Sequence, residues 1–137
     1  MSDHGKALAR AAESLARARF RLHGRDPATG LDCVGLVVAS LAATGRTVHA
    51  PACYGLRNAS IAAVLGLAPR AGLLPVADTI IPGDVLLVRT GPLQHHLLVA
   101  LGGERFVHAH AGLRRVAVTP GPLPWPILRH WRLGPRD

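Results

Sequence analysis

The stretch Gly30-Leu31-Asp32-Cys33-Val34-Gly35-Leu36-Val37-Val38-Ala39-Ser40-Leu41 decides how the rest of the chain is read. Val34, Val37, Val38 and Leu41 recur at i, i+3, i+4 and i+7, the period of one helical face. Gly45 supplies a stop shortly after. The run predicts a buried helix. Asp32, just before it, is the candidate N-cap, because a carboxylate there accepts from the unpaired N–H groups of the first turn. Cys33 falls in that turn, where the helix dipole and the same N–H groups favour a thiolate. The alternative is a small buried hydrophobe, the usual fate of a free cysteine. Cys53, the other cysteine, has no comparable setting and is read that way.

Upstream, Leu8, Ala11/Ala12, Leu15 and Ala18 predict a helix from Lys6 to about Arg19, and Leu22 to Gly30 reads as a loop. Downstream, a further helix is expected around Asn58 to Leu67. After Pro82-Gly83-Asp84 the texture changes. Val85–Arg89, His96–Leu101, Arg105–His110, Arg114–Val118 and Leu128–Leu133 are short, rich in β-formers and separated by turn residues. Helices first and strands afterwards is the α+β arrangement. Pro120, Pro122, Pro124 and Pro126 hold an extended segment before the last strand. No repeat or linker divides residues 1–137, which read as a single domain.

A thiolate nucleophile needs an imidazole, held in the right tautomer by a third group. His96 and His108 sit in consecutive strands joined around Gly102-Gly103-Glu104. Opposed residues of an antiparallel hairpin share a face, so their numbers add to a constant. If that constant is even, His96, Leu98, His108 and His110 share one side, while Val99, Leu101 and Val107 face the core. A slip of one residue would separate the two histidines. A different reading makes His95, His96, His108 and His110 zinc ligands, though no carboxylate or thiol motif accompanies them. His95, His110, His4, His23, His49 and His130 otherwise read as solvated polar positions.

With the flanking residues in view, the chain resembles the NlpC-type cell-wall cysteine peptidases, which are papain-like. Phe20-Arg21-Leu22-His23-Gly24 and Gly30-Leu31-Asp32-Cys33-Val34-Gly35-Leu36-Val37 resemble the surroundings of their nucleophile. Pro82-Gly83-Asp84-Val85-Leu86 resembles the strand entering their sheet. His96, with Phe106-Val107-His108-Ala109 following, resembles their histidine-bearing hairpin. The resemblance spans about residues 7–118 and implies an α+β fold with N-terminal helices packed on an antiparallel sheet. It implies Cys33 as nucleophile, His96 as general base and His108 as the group orienting it, with the Cys33 N–H in the oxyanion hole. Phe20, Asp32 and Leu98 are then candidate substrate-contact residues. The implied reaction is hydrolysis of an amide bond in peptidoglycan stem peptides, often between D-glutamate and the diamino acid, with no metal or organic cofactor. Phe20 stands where relatives usually have Tyr, Val34 where they have Ser, and Leu98 where they have Gly. A bulky Leu98 on the active-site face would narrow the cleft. These departures support a second reading, a catalytically weak or inactive structural or docking component of a tail tip; an intracellular acyltransferase or amidase on the same scaffold is a third.

Composition bears on partners and place. The chain has 137 residues, 49% of them apolar, and 15 of its 16 basic residues are Arg against 8 acidic ones, for a net charge of +8. Such a charge favours acidic surroundings. The arginines are not interleaved with aromatics as a single-strand nucleic-acid groove requires, so no nucleic-acid partner is expected. No segment approaches the ~20 apolar residues of a membrane span, and Met1 to Gly5 carries no signal-like core. Synthesis in the cytoplasm is therefore expected. The stretch Gly24–Gly30 is most similar to a subgroup encoded in phage and gene-transfer-agent tail modules. That resemblance implies a virion component held near the tail tip by tail-tip or hub proteins and carried with the particle to the wall.

Overall fold

The structure, a computed structural model, describes residues 3–48, 61–92 and 94–135. In chain order its elements are α1 (Asp3–Ser14), β1 (Arg25–Asp26), β2 (Gly30–Leu31), α2 (Cys33–Ala43), α3 (Ile61–Arg70), β3 (Leu73–Pro75), β4 (Val85–Gly91), β5 (Gln94–Leu101), β6 (Arg105–His110), β7 (Arg115–Pro120) and β8 (Ile127–Leu133). β1 and β2 form a small antiparallel hairpin, and the other strands form one antiparallel sheet in the order β3-β8-β4-β5-β6-β7. This is the α+β arrangement the sequence predicts.

Helix α2 starts at the Asp32 cap, as expected. Gly35 shows why its first turn tolerates little else: a Cβ there would run into the carbonyl oxygen of Gly24. The 20–24 segment and the start of α2 are thus packed backbone to backbone. A similar approach ties α1 to the turn before β4. Gly83 has φ of 92° and a Cβ on it would meet the Gly5 backbone, so the Pro82-Gly83-Asp84 turn has both a conformational and a steric reason for its glycine.

Helix α1 buries Gly5, Leu8, Ala9 and Ala12 but ends at Ser14, short of the expected Arg19. Arg17 adopts a left-handed φ of 77°. The chain then joins β7, with the Arg17 N–H donating to Val116 O and the Phe20 N–H to Arg114 O. Leu15 and Ala18 still pack on the core, so the apolar spacing reports their burial correctly and their conformation wrongly. The Leu22–Gly30 loop contains β1 and the first residue of β2, and β3 is an edge strand that no periodicity announced. Helix α3 ends at Arg70, beyond the expected Leu67; residues 58–60, like Cys53 and His49, are outside the described residues.

The sheet is buried on both faces. On the helical face Leu97, Val99, Leu101, Val107 and Ala109 pack with Leu8, Leu36, Val37 and Leu41. On the other, Leu86, Val88, Leu98, Ala100 and Phe106 form a second cluster under Ile80, Leu123 and Trp125. The proline-rich segment between β7 and β8 is therefore a cover for that cluster. Among the described residues no helix is long and apolar enough to cross a membrane.

Candidate active site

Asp32 is fully buried and fastens the start of α2 to the segment before it. Its Oδ1 accepts from the Gly35 N–H at 2.8 Å and its Oδ2 from the His23 N–H at 2.8 Å, while Arg25 Nη1 lies 3.2 Å from Oδ1. Its carboxylate is engaged in those contacts, and it does not line the cavity described below.

Cys33 opens the helix beyond this cap, 5% exposed. Opposite it, β5 and β6 pair only through Val99–Val107, Ala100–Phe106 and Leu101–Arg105. Beyond Val99 the ladder stops, and the Leu97 N–H is left to face the Cys33 sulfur. The thiol thus sits where the two strands part. Burial pushes it up to about 11, with the Asp32 carboxylate adding to the effect against the N–H groups of Leu97, Val34 and Cys33 itself. The position expected to stabilise a thiolate therefore holds a thiol, because loss of solvation outweighs the helix terminus.

The β5–β6 pairs sum to an even constant, the register that puts His96 and His108 on one face. Their rings meet edge to face with centroids 5.0 Å apart. His96 Nε2 lies 2.9 Å from His108 Nδ1, and His108 Nε2 lies 2.7 Å from Thr119 Oγ1. Burial, then His108 and His110, hold His96 down to about 3; burial and His110 hold His108 down to about 4. Both rings are neutral at neutral pH. If His96 donates from Nε2 to His108, and His108 from Nε2 to Thr119, then Nδ1 of His96 keeps a free lone pair, the state a general base requires. Thr119 was missed. On β7 it is paired with Phe106 and so shares the face of His108, but that follows only once the β6–β7 register is known.

A cavity of about 270 Å³ opens on this face, with Phe20, Gln94, His96, His108, His110 and Trp125 among its walls. Trp125, also unanticipated, stands edge-on to His108 with centroids 6.3 Å apart. Cys33 is not part of the wall. Phe20 is. Leu98 is not: it shares the face but is fully buried in the second cluster, so it fills core and does not narrow the cleft.

Three other histidines depart from the solvated reading. His110 lines the cavity and accepts from the Leu113 N–H at 3.1 Å. His95 is 8% exposed, and its Nδ1 has no hydrogen-bond partner. His130 donates to buried Asp84 at 2.6 Å; the same carboxylate accepts from Arg132 Nε at 2.9 Å and from the Ile81 N–H at 3.0 Å. That carboxylate raises Arg132 above its ordinary value, with Asp78 adding to the effect. Asp84 thereby pins β8 to the turn that enters β4. No group of three or more His, Cys, Asp or Glu among the described residues is arranged to hold a metal.

Solved structures share this architecture. NlpC2 from Trichomonas vaginalis superposes with a TM-score of 0.68 at 19% identity, over 94% of this chain and 46% of that one. The P60 domain of antigen MAP1204 from M. avium subspecies paratuberculosis gives 0.60 at 22% identity, over 96% of this chain and 94% of that one. The chain has the NlpC/P60 fold. The peptidoglycan hydrolase RipB from Mycobacterium tuberculosis gives 0.61 at 22%, over 96% of this chain and 65% of RipB. The chain thus spans less than half of NlpC2 and nearly all of the isolated P60 domain. No family model and no curated protein matches it.

Proposed function

We propose that this chain belongs to the NlpC-type peptidases and hydrolyses an amide bond in peptidoglycan stem peptides by thiol acyl transfer. The observation behind the reading is the His96–His108–Thr119 relay, which begins one residue before Leu97, whose N–H faces the Cys33 sulfur where β5 and β6 part. The Cys33 sulfur attacks the amide carbonyl carbon as its proton passes to His96. His108 holds His96 in the required tautomer, and the Cys33 N–H faces the developing oxyanion. His96 then returns the proton to the leaving amine, and water releases the acyl group from sulfur. Because thiol and imidazole both rest neutral, proton transfer accompanies attack and does not precede it. The structural neighbours described as peptidoglycan hydrolases support the substrate class. Incubation with defined muropeptides tests it: cleavage by the native protein, retained in EDTA and abolished by Cys33→Ala, is the expected result. No cleavage of any muropeptide would overturn it.

One observation favours a second reading, a catalytically weak docking component: Cys33 is buried, its thiol is pushed up to about 11, and it does not line the cavity. For both readings we propose a place in a phage-like tail particle near its tip, held by acidic partner surfaces that suit a net charge of +8. Proteomics of purified particles tests this, and absence from intact tails would overturn it.

A further inference from the structure

The edge of the sheet beside the cavity carries an arrangement that catalysis does not use. The segment leaving α1 lies against β7 with Arg19 opposite Arg115. The bonds on either side of the pair run from the Val116 N–H to Ala18 O and from the Phe20 N–H to Arg114 O, so Arg19 and Arg115 form a non-hydrogen-bonded pair. Such pairs bring Cα atoms to about 4.5 Å and their side chains closest of all. Like charges placed this way repel. Both guanidinium groups are exposed, and neither is bonded to a carboxylate among the described residues. Arg17 and Arg114, also exposed, flank the pair at the same edge.

The row continues inward. On its other side Arg115 is opposite His110, and opposed residues share a face. His110 lines the cavity with His96 and His108. Its Nδ1 is occupied by the Leu113 N–H, which leaves Nε2. Strands β6 and β7 and the segment bridged to β7 thus present His110, Arg115 and Arg19 in one line from the cavity wall to the sheet edge. Among the described residues no Asp or Glu stands in the cavity wall.

From this we infer an anion-binding row, His110–Arg115–Arg19, that takes a carboxylate of the ligand whose other end occupies the cavity. The planar guanidinium forks suit a carboxylate, and a bound anion relieves the repulsion between them. Taking that ligand to be a stem peptide rests on the function proposed above; the anion site itself does not.

The test has two arms. In the first, the full chain at low ionic strength is titrated with propane-1,2,3-tricarboxylate by calorimetry. Binding is expected, weakened about tenfold in Arg19→Gln/Arg115→Gln and abolished for both proteins at high salt, where exposed charges are screened. Without ligand the double variant should melt no lower than the native chain, since it loses only a repulsion. Equal binding by the two proteins, a lower melting point for the variant, or far tighter binding of tripolyphosphate than of the tricarboxylate would each overturn the inference. In the second arm, KM for a stem peptide with free carboxylates should rise about tenfold in the variant, with no change for the amidated peptide; equal change for both overturns it. If no peptide is cleaved, the function proposed above fails, while the first arm still decides the anion site.

Discussion

His96 Nε2 lies 2.9 Å from His108 Nδ1, and the far nitrogen of His108 lies 2.7 Å from the Thr119 hydroxyl. His108 is therefore held from both sides. With both rings neutral, each has one N–H to give, and the direction in which the two are given decides whether His96 can act as a base. Thr119 is the end of that line and fixes its direction only if it accepts.

This ordering predicts graded losses. His108→Ala should lower kcat/KM on a muropeptide by ~10²–10⁴-fold, because His96 loses its orienting partner. Thr119→Val removes one hydrogen bond at the end of the line and should cost only about fivefold to tenfold. Equal losses in the two variants would contradict the relay.

Cys33 chemistry is predicted to be slow at neutral pH. With the thiol pushed up to about 11 by burial, only a small thiolate fraction exists near pH 7, and iodoacetamide should label Cys33 far more slowly than a small-molecule thiol. The rate should climb as pH approaches 11. Mass spectrometry of the folded protein checks this, and rapid labelling at pH 7 would show that the helix terminus outweighs burial.

That prediction reverses what the sequence suggests, and the reason lies in what a sequence can encode. The Asp32 cap, the Cys33 position and the α2 period are local, so their geometry is legible from spacing alone. The shared face of His96 and His108 follows from parity once the hairpin register is known. Burial is not local. Cys33 loses its solvent to packing by Leu97, Val34 and the rest of the core, and Leu98 faces a second cluster built by Leu123 and Trp125. Both contacts cross between distant segments. Thr119 and the Arg19–Arg115 pair were hidden for the same reason: each needs the register of a strand pairing that periodicity does not reveal.

Folding stability should fall in acid. Unfolded, His96 and His108 take up protons as pH drops through 6.5; folded, they stay neutral to about 3 and about 4. Between those limits the unfolded chain binds more protons, so stability is complete above pH 6.5 and declines below it, by at most about 1.4 kcal/mol per pH unit for each ring. Urea unfolding at pH 7, 5.5 and 4.5 measures the slope, and His108→Gln should flatten it. An unchanged slope in that variant would remove His108 from the account.

Leu98 provides a final test, because two readings of it predict opposite outcomes. If its side chain narrowed the cleft, shortening it would open the site and raise activity at little cost to stability. The structure buries it completely among Leu86, Val88, Ala100 and Phe106, on the histidine face but beneath the proline-rich cover and away from the cavity wall. Leu98→Ala should then leave a void in that cluster and destabilise the fold by roughly 2–5 kcal/mol. The cover would settle less firmly, and Trp125, which packs on the cluster and stands beside His108, would lose part of its support. Activity should fall modestly. Thermal unfolding and muropeptide cleavage measured on the same preparation decide the matter: a variant of native stability and higher activity would place Leu98 in the cleft.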